Sequence, residues 1–106
     1  MLGRANDEDV FVKPVGDVEL WNAKEAYGVT DFYPVLDGVT VWAHNGSYIP
    51  NWLTVYLYDG DKNKVKTLTW QTTVTISKDE YSYFRLSTSK DCTNLEYSVK
   101  LYARWL

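Results

Sequence analysis

The sequence predicts an all-β domain, an antiparallel jelly-roll-like β-sandwich of about seven or eight short strands. Three observations point there. The stretch Trp52 to Trp70 (WLTVYLYDGDKNKVKTLTW) reads as one hairpin: Leu53, Val55 and Leu57 alternate with Thr54, Tyr56 and Tyr58, the period of a strand with one buried face. Turn residues recur every ~8–12 positions along the chain. No apolar period of 3.6 competes with the alternation. A lone hairpin is marginal in water, so other strands must cover its apolar face. A single sheet or partly open barrel is the alternative architecture.

Residues 1–9 form a polar, acidic-ended tail, and residues 10–106 a single domain. Val10-Phe11-Val12 is a short strand candidate, and Val18-Glu19-Leu20-Trp21 alternates after the turn at Lys13–Asp17. Asn22 to Glu25 could begin a helical turn that Gly28, Val29 and Thr30 end. Thr30 to Leu36 is extended, and Pro34 cannot donate to a ladder, so that strand lies at an edge or bulges. Asp37-Gly38 turns into a strand with Val39, Val41 and Ala43 on the core face and Thr40, Trp42 and His44 outside. Asn45-Gly46-Ser47 turns again, and Tyr48 to Asn51 leads into the hairpin.

In the hairpin turn Asp59, Asp61 and Asn63 can bond their own backbone, and Gly60 tolerates positive φ. Gln71 to Ile76 continues that strand or starts another. Tyr81 to Ser87 places Ser82, Phe84 and Leu86 on one face and Tyr81, Tyr83, Arg85 and Ser87 on the other. Thr88 to Asn94 is a polar loop holding Cys92. The last strand alternates from Leu95 through Tyr97, Val99, Leu101 and Ala103 to Trp105.

Composition narrows the function. Aromatic residues make up 16% of the 106, with 5 Trp and 9 Tyr. A core this small cannot hide them all, and exposed aromatics are where binding concentrates. A formal charge of −3 and a pI near 5.0 argue against nucleic acid, which requires a basic footprint. Lys62, Lys64 and Lys66 read as protection of a solvated or edge strand, with Asp59 and Asp61 beside them. No apolar run is long enough to insert in a membrane, and the first twelve residues lack the apolar centre of a secretory signal. The single Cys92 cannot close an internal disulfide.

The order of elements resembles a family. A "FYPVLDGVTVWA" strand pair, then "VYLYDGDKNKV", then "YSYFRLS" is similar to the small β-sandwich modules of phage tails, baseplates and bacterial surface proteins. The matching residues are Gly38, Tyr58, Asp59, Lys62, Tyr83, Phe84, Arg85 and Leu86, over about residues 32 to 101. The resemblance implies a non-catalytic accessory module that binds carbohydrate, at a virion or extracellular surface. Copies on a homo-oligomer would supply avidity.

Trp42, Tyr56, Tyr58, Tyr81 and Tyr83 fall on outward faces by alternation, and a sugar ring packs its C–H groups on such faces. Arg85, Asp31, Gln71 and His44 are the polar candidates. The competing reading makes the same face a protein–protein interface with neighbouring virion subunits. Trp52 and Trp70 read as core or rim. Arg85 in mid-strand either orients a ligand with its planar fork or forms a salt bridge with Asp59 or Asp31.

Metal and catalytic constellations are poor. The D-x-D-x-N run from Asp59 opens like a calcium loop, but Lys64 and Trp70 stand where Gly and Glu are required, so a plain turn wins and no cofactor is expected. A calcium site from separated carboxylates, such as Asp7, Glu8 and Asp9, stays open. His44 and Cys92 sit in no nucleophile motif. Asp31, Asp37, Glu80 and Glu96 could supply two carboxyls, yet so small a sandwich has little cleft for a glycoside. A non-enzyme is the reading.

Overall fold

The computed structural model describes residues 11–23, 28–45, 49–88 and 99–106, with backbone alone at residues 22, 23, 45, 49 and 50. Among the described residues there is no helix and there are nine strands: β1 Val18–Ala23, β2 Tyr33–Pro34, β3 Val39–Asn45, β4 Ile49–Pro50, β5 Leu53–Tyr58, β6 Lys64–Gln71, β7 Thr73–Ile76, β8 Tyr83–Thr88 and β9 Val99–Trp105. All pairings are antiparallel. One sheet runs β1-β9-β3, with β7 and β4 sharing the far edge of β3 at its two ends. The other runs β2-β8-β5-β6.

The alternation read from the sequence sets the core. Val39, Val41 and Ala43 of β3 and Val99, Leu101, Ala103 and Trp105 of β9 are buried from one sheet. Leu53, Val55 and Leu57 of β5 and Phe84 and Leu86 of β8 are buried from the other. They form one cluster, so the two sheets face each other as in a β-sandwich. Each Val, Leu and Phe among them contributes about 1.5–3 kcal/mol on burial.

One end of the core is closed by rings. Trp105 lies between Phe11, Tyr33 and Phe84, with centroids 5.1, 6.2 and 6.1 Å away. Its indole Nε1 donates to the carbonyl of Pro34 at 2.9 Å, tying β9 of one sheet to β2 of the other. Burial pushes the Tyr33 phenol up, with the Asp31 charge adding to it. Phe11 is not in a strand as expected from Val10–Val12. Instead its ring caps this end, and Val12 is exposed. Pro34 sits on an edge strand, where its missing N–H is harmless.

Three loops show how the turns work. In the hairpin, Asp59 Oδ1 accepts from the N–H groups of Asp61 and Asn63, both at 2.9 Å, and Lys62 takes a φ of 63°. At the entry to β3, Gly38 takes a φ of 122°, and a Cβ there would come within 2.9 Å of Leu106. The third lies at the end of β6. Val55 pairs with Leu68 and Leu53 with Gln71, so Thr54 faces both Thr69 and Trp70 in a bulge. Trp70 has a φ of 56°, a left-handed conformation that costs an L-residue about 1–2 kcal/mol. Three residues later, at Thr73, the chain joins β3 in the opposite sheet as β7, so the bulge marks the corner between sheets.

The buried hydroxyl of Thr30 accepts the N–H of Leu86 at 2.9 Å and donates to the carbonyl of Asp31 at 2.9 Å. Thr30→Val conserves shape but strands that N–H, so urea unfolding should show a loss of about 1–3 kcal/mol. Thr30→Ser should recover most of it.

Candidate functional site

The outer face of the β2-β8-β5-β6 sheet carries four of the expected residues. Tyr56 pairs with Arg85 and Tyr58 with Tyr83 across β5 and β8, so their side chains are neighbours. Phe32, just before β2, folds over them, with its ring 4.7 Å from that of Tyr58 in a T-shaped contact. Tyr58 is thereby closed off, 8% exposed, and supports the face rather than forming it. Tyr56, Tyr83, Arg85 and Phe32 remain half-buried.

Cations lie on these rings. The guanidinium carbon of Arg85 is 4.8 Å from the centroid of Phe32, and its Nε donates to the carbonyl of Thr30 at 2.8 Å. The expected salt bridge to Asp59 or Asp31 does not form. Asp59 is committed to its own turn, and the Thr30 carbonyl holds the Arg85 fork instead. Lys62 Nζ lies 5.0 Å from the centroid of Tyr83 and 5.7 Å from that of Phe32. Lys64 Nζ lies 5.5 Å from that of Tyr56. Such contacts contribute about 0.5–1 kcal/mol each at exposed sites.

Trp42 is elsewhere. It projects from β3 on the outer face of the other sheet, stacked on Tyr102 with centroids 5.8 Å apart and planes 12° from parallel. His44 is 5.2 Å from Tyr102, and Arg104 lies over Trp42 at 5.7 Å. Here the charges neutralise one another: Arg104 pairs with Asp17, and Lys100 with Glu19 at 3.7 Å. The hydrogen bond from Arg104 holds the Asp17 carboxyl below its usual range. On the Tyr56 face, by contrast, Arg85 and Lys64 have no carboxylate partner among the described residues. Tyr81 is also separate, because β8 begins at Tyr83 and the ring of Tyr81 packs against the core.

Of the polar candidates, Asp31 is exposed, His44 belongs to the Trp42 face, and the Gln71 amide donates to Thr69 O at 2.9 Å. Phe32, Lys62 and Lys64 were not expected in a site. The signal for Phe32 is weak because the alternation breaks there: Thr30 and Tyr33 are both buried. Trp52 and Trp70, expected as core or rim, are 45% and 57% exposed. No group of three His, Cys, Asp or Glu side chains among the described residues is placed to hold a metal ion. Cys92, Glu96, Asp7, Glu8 and Asp9 lie outside the described residues, as do the tail at residues 1–9, the turn at Gly46–Ser47 and the loop from Ser89 to Asn94. No helix of the described residues is long and apolar enough to cross a membrane.

No protein-family model, curated protein or solved structure matches the chain.

The hairpin turn that carries Lys62 has a testable electrostatic signature. Backbone N–H donors from Asn63 and Asp61 hold the Asp59 carboxyl below its usual value. A lowered folded-state pKa gives stability present above the unfolded value near 3.8 and lost as pH falls through the folded one. Urea midpoints should therefore drop on acidification from about pH 5 to about pH 2. Asp59→Ala should be less stable at neutral pH and lose less over that interval.

Proposed function

We propose that this protein is a non-catalytic carbohydrate-binding module of jelly-roll type, acting in a phage tail or similar surface-recognition assembly. The observation that carries the reading is the outer face of β5 and β8. There Tyr56 and Tyr83 present rings beside an Arg85 fork already fixed by Phe32 and the Thr30 carbonyl. Sugar C–H groups would pack on the tyrosine rings. The Nη groups of Arg85, which have no partner among the described residues, would donate to a hydroxyl or carboxylate. A shallow face of this kind binds weakly at one site, so copies on a homo-oligomer would raise the avidity at a polysaccharide surface.

Strand order supports the jelly-roll reading. Apart from the short β4, the sets β1-β9-β3-β7 and β2-β8-β5-β6 are those of two four-stranded sheets wound from one folded-over ribbon. Jelly rolls are common among lectin and capsid domains, which is an analogy of fold and not of site.

A second reading makes the protein a structural subunit of a virion or surface array. It is favoured by the Trp42–Tyr102 stack, which gives the domain a second aromatic face opposite the first.

The two readings separate on a panel of bacterial and plant polysaccharides, read by affinity electrophoresis with sedimentation on the same samples. Arg85→Ala and Tyr83→Ala should each weaken retention about tenfold or more, as expected for a charged hydrogen bond or a stacked ring. Trp42→Ala should bind like the parent. Unchanged retention in Arg85→Ala and Tyr83→Ala, or a parent that ignores every polysaccharide and sediments as a stable dimer or trimer, would overturn the carbohydrate reading.

A further inference from the structure

The aromatic face continues beyond Tyr56. Trp52 immediately precedes β5 and has the parity of Thr54 and Tyr56, the outward residues of that strand. Trp70, at the end of β6, meets it with ring centroids 5.8 Å apart and planes 78° from parallel. The pair therefore makes a corner. Both rings are exposed, whereas Trp105 is buried and Trp21 and Trp42 are half-buried.

Two further features give this corner a chemistry. Trp70 occupies the left-handed position of a bulge, which glycine fills without strain. The chain thus holds its bulkiest side chain where the backbone favours none, and strain of this kind concentrates at binding sites. The flanking sequence is also neutral. No Asp, Glu, Lys or Arg occurs at residues 51–54 or 67–77, while Asn51, Thr54, Thr69, Gln71 and Thr72 supply amides and hydroxyls. Gln71 Nε2 donates to Thr69 O at 2.9 Å, which leaves its Oε1 without a partner among the described residues. An ammonium ligand would call for a carboxylate here and an anionic one for a cation. An uncharged polyol ring calls for neither, and its C–H groups suit an indole face.

We propose that Trp52 and Trp70 form a second subsite, for an uncharged pyranose unit, at the far end of the same sheet face. The inference rests on the carbohydrate reading and extends it: one glycan chain would run along β5 from Arg85 to the tryptophan corner. Trp52 and Tyr56 are four residues apart, about 13 Å along a strand, a span for an oligosaccharide and too long for one sugar ring. Affinity should therefore rise steeply with chain length.

Trp70→Gly is the informative variant, because it removes the ring together with the left-handed strain. Its Tm should equal or exceed that of the parent. Trp52→Ala, which leaves the bulge untouched, is the companion in case the glycine variant does not fold. Both would be titrated with gluco-, manno- and xylohexaose and the matching disaccharides, by tryptophan fluorescence with sedimentation velocity alongside.

The expected result is that hexasaccharide binding weakens tenfold or more in both variants and that the advantage of hexasaccharide over disaccharide disappears. Hexasaccharide binding within twofold of the parent in either folded variant would overturn the subsite and leave the proposed function standing. So would a parent dimer that falls apart in the variants while binding is kept, since the corner would then serve self-association. A parent that binds no sugar, here or on the polysaccharide panel, would overturn the proposed function and this inference together.

Discussion

The bond from the Trp105 indole to the Pro34 carbonyl is the constraint on which the rest of the molecule depends. It joins the last strand of one sheet to the edge strand of the other, buried beside the rings of Phe11, Tyr33 and Phe84. A buried carbonyl without that donor would carry a desolvation penalty of about 1–3 kcal/mol. Anchoring Pro34 also anchors what precedes it. Thr30 docks on Leu86 through its N–H and its hydroxyl, and Phe32 is laid across β5 and β8. The outer face is thus assembled from the inside: the core fixes β2, and β2 delivers the ring and carbonyl that hold Arg85.

The two outer faces use similar residues in different ways. On the Trp42 face each described arginine and lysine finds a carboxylate, so the surface is satisfied by itself. On the Tyr56 face Arg85 and Lys64 rest on rings, where their stems are ordered and no carboxylate among the described residues pairs with them. Side chains already held in place lose little entropy when a ligand arrives. That difference is the physical reason to place recognition on β5 and β8. It also fits a chain whose formal charge is −3 overall while this face carries Lys62, Lys64 and Arg85.

Much of the fold was legible in the sequence because period-2 alternation reports directly which side chains turn inward. The buried sets of β3, β5, β8 and β9 follow from it, while the hairpin at Asp59–Asn63 follows from its turn residues and the edge position of Pro34 from its missing N–H. Alternation does not say to which sheet a strand belongs. Trp42 and Tyr56 both point outward, yet they point away from the domain on opposite sides. Parity also fails where a strand begins late, as at Tyr81, or where the chain leaves regular geometry, as at Phe32 and at the left-handed Trp70. The Arg85 contacts required the long-range approach of residues 30–32, and nothing local to β8 encodes that approach.

The most direct test of the account is a two-dimensional amide and indole NMR titration of the whole protein with the tightest-binding oligosaccharide. Five tryptophans supply five indole reporters spread over core, both faces and the corner. The indole signals of Trp52 and Trp70 should move together with the backbone amides of Tyr56, Tyr83 and Arg85. Those of Trp42 and of the hydrogen-bonded Trp105 should stay fixed. Shifts centred on Trp42 and Tyr102, with Tyr56, Arg85 and the tryptophan corner unmoved, would place recognition on the other sheet and contradict it.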